Sequence, residues 1–313
     1  MRRRVLGGAA RLGEATDQIC LIPWIIPEGD AHRLYRAARR LQKVPLTFLA
    51  ASRLAEVVCS GDAILLLTGA GAAPELPCGE TDGPLGVAVL ARALHLGLGA
   101  RPFLISEERN LRPLQSVLGI IGADYPLLPF PCGQDVAGYR LLEELQPRAV
   151  ISVEKLGPNS KGVIHDMRGR DVSASHASVR GLFDGARDQG ILAVGIGDRG
   201  NEVGFGLLFG LHSRPSLRTG RCRCPCRGSI ACDIRADVLV VSSISNWGAY
   251  GVVRCLQALT GRRLLHAPDD EQAMLQAALH GGARDGVSYA ATLTVDGADL
   301  AVQQAVVTLL GSV

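Results

Sequence analysis

Aromatic residues make up only 4% of this 313-residue chain, too few to build a surface that stacks nucleobases. The formal net charge of +3 likewise falls short of the phosphate-neutralising patch that nucleic-acid binding rests on. No nucleic acid is expected as a partner. Long apolar runs are missing too. Stretches such as 63–68 and 237–244 are far shorter than the roughly 20 residues that span a bilayer, so no membrane is expected either. The N-terminus, MRRRVLGGAARLGEATDQ, lacks an apolar centre and carries Glu14 and Asp17, unlike a secretory signal. The nine cysteines are then expected to be mostly reduced thiols in a cytoplasmic protein. The mitochondrial matrix is the alternative, because Arg2, Arg3, Arg4 and Arg11 precede any acid.

Three signature motifs are absent: GxSxG, HExxH and GxxxxGKS/T. Their absence argues against serine-hydrolase, zincin and P-loop chemistry. Lysine is scarce as well. Only Lys43, Lys155 and Lys161 stand among 33 Lys and Arg residues. Arginine stays protonated in proteins, whereas a lysine can become a base once its surroundings lower its pKa. Two of the three lysines share one short segment, by chance or for a lysine-specific role.

What is present is a hydrophobic content of 47%, enough for a large core. Residues 1–60 show helical periodicity, with Leu34, Ala37, Ala38 and Leu41 on one face and arginines opposite. They read as a helical N-terminal segment packed on a main domain at 61–313. From residue 63 onward, short apolar runs alternate with helix-length amphipathic stretches. That pattern predicts an α/β fold with a doubly wound, mostly parallel, Rossmann-like sheet and helices on both faces. Strands are expected at 63–68, 101–106, 125–130, 149–153, 191–196 and 237–244. A helix is expected from Pro84, with Thr81 or Asp82 as its cap. Further on, a helix at 271–280, a β-prone piece at 287–289 and a closing apolar helix follow.

Open sheets of this kind bind ligands beyond the carboxyl ends of their strands, and the residues that follow these strands are polar. They are Glu80, Thr81 and Asp82 after the first, Glu154 and Lys155 after the fourth, and Asp198, Asn201 and Glu202 after the fifth. After the sixth come Ser243, Ser245, Asn246 and Trp247. Singly, each reads as a helix cap or turn residue. Jointly, on one sheet edge, they outline a site. At 191–206, ILAVGIGDRGNEVGFG, Gly195, Gly197 and Gly200 spell the dinucleotide fingerprint GxGxxG. Two carboxylates sit in the same turn, where a pyrophosphate would repel them. The ribose-binding acid expected about 20 residues later is missing from HSRPSLRTGRCRCPC at 212–226. An acidic helix cap after Gly200 is a second reading. An active-site loop is the third, in which Asp198, Asn201 and Glu202 hold a metal ion or a substrate ammonium.

Two loops stand apart. The segment 154–176 is long and polar, holding Lys155, Lys161, His165, Asp166, Arg168 and Asp171, and reads as a charged lid or a solvated loop. Cys222, Cys224 and Cys226 form a CxCxC cluster interleaved with arginines. Structural zinc sites favour CxxC pairs, so this cluster is expected to be a solvated surface insertion.

The segments GETDGPLGVAVLARAL (79–94), EKLGPNSKGVIHDMRGRDVS (154–173), GIGDRGNEVGFG (195–206) and SISNWGAYG (243–251), with VDG (295–297) as a weaker match, together resemble the C-terminal domain family of D-glutamate cyclase. The resemblance runs in the same order from about residue 66 to the end. It implies a lyase that converts D-glutamate to 5-oxo-D-proline and water. Arg199 stands where that family usually carries glycine, which bears on the exact substrate. With this chemistry in view, Lys155 is expected to take the amine proton, Glu154 to orient or tune it, and Asp198 to join them in catalysis. Arg168 would fork onto the α-carboxylate, with Glu80, Thr81, Asp82, Asn201, Glu202, Ser245 and Asn246 binding substrate. No organic cofactor is implied. A divalent Mg²⁺ or Mn²⁺ on Asp198, Asn201 and Glu202 is the metal expectation, and a homo-oligomer is left open. The rival readings are a nucleotide-dependent oxidoreductase using the GxGxxG turn and a non-catalytic small-molecule-binding protein.

Overall fold

The structure, a computed structural model, describes residues 2–23, 30–132, 136–209 and 220–313; the 212–219 part of the stretch that lacks the ribose-binding acid lies outside them. Six parallel strands form the central sheet: β1 (Ala63–Gly69), β2 (Arg101–Ser106), β3 (Leu127–Pro129), β4 (Ala149–Lys155), β5 (Leu192–Gly197) and β6 (Val238–Val241). Their order is β3-β2-β1-β4-β5-β6, the doubly wound arrangement with its reversal between β1 and β4. Each strand falls within or next to its predicted run. The proline-containing third is cut to three residues, because proline cannot donate to a ladder.

The apolar runs are continuous because both faces of the sheet are covered. Ile64, Leu66, Ile151, Val153, Val194 and Ile196 enter a core shared with α3 (Leu46–Val57), α4 (Pro84–Leu98) and α9 (Ser245–Thr260). Their neighbours Leu65, Leu67, Val150 and Ala193 pack on the other face against Leu142 of α6 (Val136–Leu145) and Leu182 and Phe183 of α7 (Arg180–Asp188). That alternation is the period of two that a pleated strand imposes. The larger face also carries α5 (Glu108–Ile120), α10 (Pro268–His280) and α11 (Leu300–Ser312).

Ahead of the sheet lie α1 (Arg2–Cys20) and α2 (Asp30–Gln42). Helices α1 and α3 pack on α9, and α2 packs on β6. The approach is close: a Cβ on Gly251 of α9 would come within 2.7 Å of Cys20 Sγ and 2.8 Å of Thr47 Cγ2. Asp17 ties α1 to α3 by accepting from the backbone N–H groups of Leu46 at 2.7 Å and Thr47 at 3.0 Å. Leu34 and Ala38 are buried as read from the sequence, but Leu41 is exposed. Gln42 is the reason. It turns inward to bond both backbone groups of Leu239, closing the free edge of β6, so the preceding residue faces outward.

The β-prone piece at 287–289 is a turn instead. Asp285 accepts from the N–H groups of Val287 and Ser288, which fixes an Asx turn where a strand was expected. The hairpin follows it, as β7 (Thr294–Val295) and β8 (Ala298–Asp299). Among the described residues, no helix is long and apolar enough to cross a membrane.

Candidate active site

The reversal between β1 and β4 opens a crevice at their carboxyl ends, and the local irregularity there shapes the site. Ser152 pairs with Leu67 but Lys155 pairs with Gly69, so β4 carries one extra residue. Glu154 absorbs it with a positive φ of 46°, the kind of bulge that re-aims a side chain. Glu154 and Lys155 consequently meet different partners. The Glu154 carboxylate accepts from Ser245 Oγ at 2.6 Å, while Lys155 Nζ donates to Glu107 Oε1 at 2.5 Å. That pair is buried, with both side chains 2% exposed. Burial, the largest effect, would raise the Glu107 pKa, yet the Lys155 charge together with the hydrogen bonds from Lys155 and the Ala177 N–H holds the carboxyl below its usual range. Nearby, burial and the same lysine push the His176 pKa down to about 4, leaving that imidazole neutral.

A pocket of about 270 Å³ opens above Glu154, with Glu80, Arg199, Asn201 and Asp296 also in its wall. It is slightly smaller than the roughly 300–1,000 Å³ of drug-sized ligand sites. Asp82 and Asp198 lie close behind, for carboxylate oxygens of Asp82, Asp198 and Asp296 all fall within 4.8 Å of one another, as do those of Glu154, Asp198 and Glu202. Arg199 is the cation placed among them. It bonds Asp296, and its Nε lies 3.2 Å from Asp198. Around that guanidinium stand six acids, Glu80, Asp82, Glu154, Asp198, Glu202 and Asp296, and the pKa values follow. Burial, then the charge of Asp296, raises Asp82 to about 8. Burial, then the same aspartate, lifts Glu80 well above its usual value. Glu154 is raised by burial and by Glu202. Asp198 is raised by burial despite Arg199 beside it.

Asp82 and Asn246 hold the two helices behind the pocket. The expected cap of α4 by Thr81 or Asp82 is not what forms. Asp82 instead accepts from the N–H groups of Ser245 and Asn246, both at 2.8 Å, at the start of α9. Asn246 Oδ1 in turn accepts from Gly83 and Gly86 at the start of α4, at 2.9 and 2.7 Å. Thr81 faces the C-terminal segment, its hydroxyl donating to the Thr294 carbonyl at 2.9 Å. The physical reason is that Gly83, at φ 101°, reverses the chain between Asp82 and Pro84, so Asp82 reaches only the first of these amides, Gly83 N, at 3.0 Å.

In the glycine-rich turn, the backbone N–H groups of Arg199 and Gly200 point at the Glu202 carboxylate, at 3.0 and 2.7 Å. These are the donors a pyrophosphate would need, and Glu202 takes them. The helix that follows, α8 (Gly206–Phe209), has one turn. Asn201 donates from Nδ2 to the His165 carbonyl at 2.9 Å, and its Oδ1, like Asp198 Oδ1, is buried without a hydrogen-bond partner. Arg168 stands at the pocket mouth, its guanidinium 4.7 Å above the Tyr289 ring. Cys222, Cys224 and Cys226, expected in a solvated insertion, are partly buried and converge with His165.

The family model described as "D-glutamate cyclase-like, C-terminal" matches residues 27–311. The chain belongs to that family. It is also 28% identical over 196 residues to "D-glutamate cyclase, mitochondrial" of Homo sapiens, a match that covers 58% of this chain and 30% of that protein. The chain therefore spans about a third or less of that relative's length.

Within the D-glutamate cyclase-like fold, most of the residues nominated from the sequence gather at one crevice. Glu80, Asp82, Glu154, Asp198, Asn201, Glu202, Ser245 and Asn246 are there. Lys155 is joined instead to Glu107, and Thr81 to the C-terminal segment. Asp296 and Glu107 were not nominated. Asp296 had a signal, since Asp296-Gly297 with φ 51° and 76° is the Asp-Gly turn of a two-residue hairpin. Gly286 had none: a Cβ there would lie 2.3 Å from Glu80 Oε2 and 2.9 Å from Asp296 Oδ1, a closeness visible only in three dimensions.

Proposed function

We propose that the chain is a D-glutamate cyclase-like lyase that converts D-glutamate to 5-oxo-D-proline and water. One observation carries this reading beyond the family: a small pocket lined by Glu80 and Glu154 and backed by Asp198, carboxyl groups whose pKa values are driven upward by burial and by neighbouring acids. The reaction joins the amine nitrogen to the side-chain carboxyl carbon and breaks a carbon–oxygen bond. Starting from the zwitterion, two protons leave nitrogen and two reach the departing oxygen. A set of carboxyls whose proton affinity is raised by burial and by one another suits both halves.

In this reading Glu154 and Asp198 take protons from nitrogen and return them to the leaving oxygen, while the Ser245 hydroxyl steadies Glu154. Arg199, with Arg168 and Arg170 at the mouth, offsets the substrate's two carboxylates. Lys155, ion-paired with Glu107, acts as a support for the loop that begins at β4 and not as the base. The two acidic triads and the unpartnered Oδ1 atoms of Asp198 and Asn201 also fit a hard divalent cation. Mg²⁺ or Mn²⁺ held by Asp198 with Asp82 and Asp296, or with Glu154 and Glu202, would supply Lewis-acid polarisation of the substrate carboxylate.

The test is chiral chromatography of products after incubation with D- and L-glutamate, with and without Mn²⁺. Formation of 5-oxo-D-proline, falling about 10²- to 10⁴-fold in Glu154→Gln, supports the reading. Absence of product from D-glutamate under every metal condition overturns it.

A further inference from the structure

The cysteine loop lies outside the acid pocket, and the fold brings four soft donors together there. Cys222 Sγ is 3.4 Å from Cys226 Sγ and 3.6 Å from Cys224 Sγ. His165 Nε2 comes from the 154–176 loop to within 3.3 Å of Cys224 Sγ and 3.6 Å of Cys226 Sγ. Zinc bonds of about 2.3 Å to sulfur and 2.0–2.1 Å to nitrogen, arranged as a tetrahedron, imply edges of about 3.8 Å between sulfurs and about 3.5 Å between sulfur and nitrogen. The observed edges approach those values and are far from the roughly 2.05 Å of a disulfide.

Alternate residues converge because the segment is a turn and not a strand. Arg227 N–H bonds the Cys224 carbonyl at 3.2 Å across Pro225. Arg227 then takes a positive φ of 50°, and Arg221 and Ser229 pair as an antiparallel bridge. This wrap points the Gly228 N–H at two sulfurs, 3.1 Å from Cys222 Sγ and 3.3 Å from Cys226 Sγ. Amide donors of that kind favour the thiolate, the form that binds metal.

We infer that His165, Cys222, Cys224 and Cys226 form a structural zinc site, one Zn²⁺ per chain. Four protein donors close the coordination sphere, which is the mark of a structural and not a catalytic zinc. Thiolates and imidazole select zinc over Mg²⁺ or Mn²⁺, so this site and the all-oxygen pocket sort different metals. The net charge of −1 on a three-thiolate zinc falls in a segment that also carries Arg221, Arg223 and Arg227. The ion clips the cysteine loop to the 154–176 loop, beside existing backbone and side-chain ties. These are Arg223 N–H to the Gly169 carbonyl at 2.8 Å and Asn159 Nδ2 to the Ser229 carbonyl at 2.7 Å. Because the His165 carbonyl holds Asn201, the clip also braces one wall of the acid pocket.

The experiment is a cobalt titration of the reduced, metal-free 313-residue chain, followed by zinc. Binding at these residues gives a sulfur-to-cobalt charge-transfer band with the intense visible bands of tetrahedral Co²⁺, bleached by equimolar Zn²⁺. Cobalt in the carboxylate pocket gives no sulfur band. The Cys224→Ser, Cys226→Ser double variant is expected to lose that band. A measurement without variants runs alongside, in which iodoacetamide labelling is read by mass spectrometry. Zinc should protect Cys222, Cys224 and Cys226 while exposed Cys59 and Cys132 label equally in both samples. A wild-type chain without the sulfur band, a band that persists in the double variant, or equal labelling of the three cysteines with and without zinc overturns the site.

Discussion

Asp82 and Asn246 cap each other's helices: the Asp82 carboxylate accepts from the start of α9, and the Asn246 carboxamide accepts from the start of α4. Both side chains are buried, so neither cap can be replaced by water. Helices α4 and α9 pack along their lengths, and the pocket acids Glu80 and Glu154 hang from the same junction.

Asn246→Ala leaves the Gly83 and Gly86 N–H groups without an acceptor in a dry interface. A loss of about 2–4 kcal/mol is expected, from two orphaned donors at about 1–3 kcal/mol each with partial relaxation. Urea unfolding measures it. A double-mutant cycle with Asp82→Ala should show strong non-additivity, because the two caps share one junction. Additive losses would separate the caps energetically.

The raised pKa of Asp82 makes stability depend on pH. The folded carboxyl titrates at about 8 against 3.8 for the ordinary group, so the folded state binds the extra proton between those values. The contribution is full below about pH 4 and is lost as pH rises through 8. Asp82→Asn should therefore gain on the wild type between pH 6 and pH 9, whatever its offset at pH 6. Urea midpoints of the two proteins at several pH values, without divalent metal, give the difference. A constant difference across that window would place the Asp82 titration elsewhere.

Lys155 and Glu107 are a buried pair, and removing one partner strands the other. Lys155→Met is expected to destabilise the chain by about 3–5 kcal/mol, and addition of Glu107→Leu should recover most of that loss. Activity in the double variant separates the roles. If 5-oxo-D-proline formation returns with stability, the lysine is a support. If stability returns while turnover stays absent, Lys155 belongs to the chemistry.

The sheet was legible because its residues obey local rules. Runs such as Ile64 to Leu67 are apolar at every position, which only a strand covered on both faces requires, and the order of polar residues after the strands located the crevice. What the chain concealed was set by contacts distant in sequence. Lys155 finds Glu107 across 48 positions only because the β4 bulge turns Glu154 away from it. Asp82 serves α9 and not its own helix because Gly83 reverses the backbone. The cysteine spacing looked unfavourable for a metal because it lacks a CxxC pair; the turn at Pro225 redirects the thiols, and His165, which joins them, lies more than 50 residues upstream. Asp296 carried a readable Asp-Gly turn, but nothing local tied that turn to the acids of β1 and β5.

Arg199 occupies the place of a cation among the pocket acids, where the resemblance expects glycine. Its guanidinium bonds Asp296 and Asp198 and is held charged by them against the effect of burial. Arg199→Gly removes that charge and leaves Asp82, Asp198 and Asp296 facing one another. Two consequences are expected. Without divalent metal, the variant loses at least about 2 kcal/mol, since buried carboxylates are left without their partner. With Mn²⁺, the same carboxylates bind the ion at least about tenfold more tightly than in the wild type, because a positive charge within a few ångströms no longer opposes it. Calorimetric titration with Mn²⁺ and thermal unfolding with and without it measure both. Equal Mn²⁺ affinity in the two proteins would show that the guanidinium and the metal do not compete for the acids, and that Arg199 acts on the substrate side of the pocket.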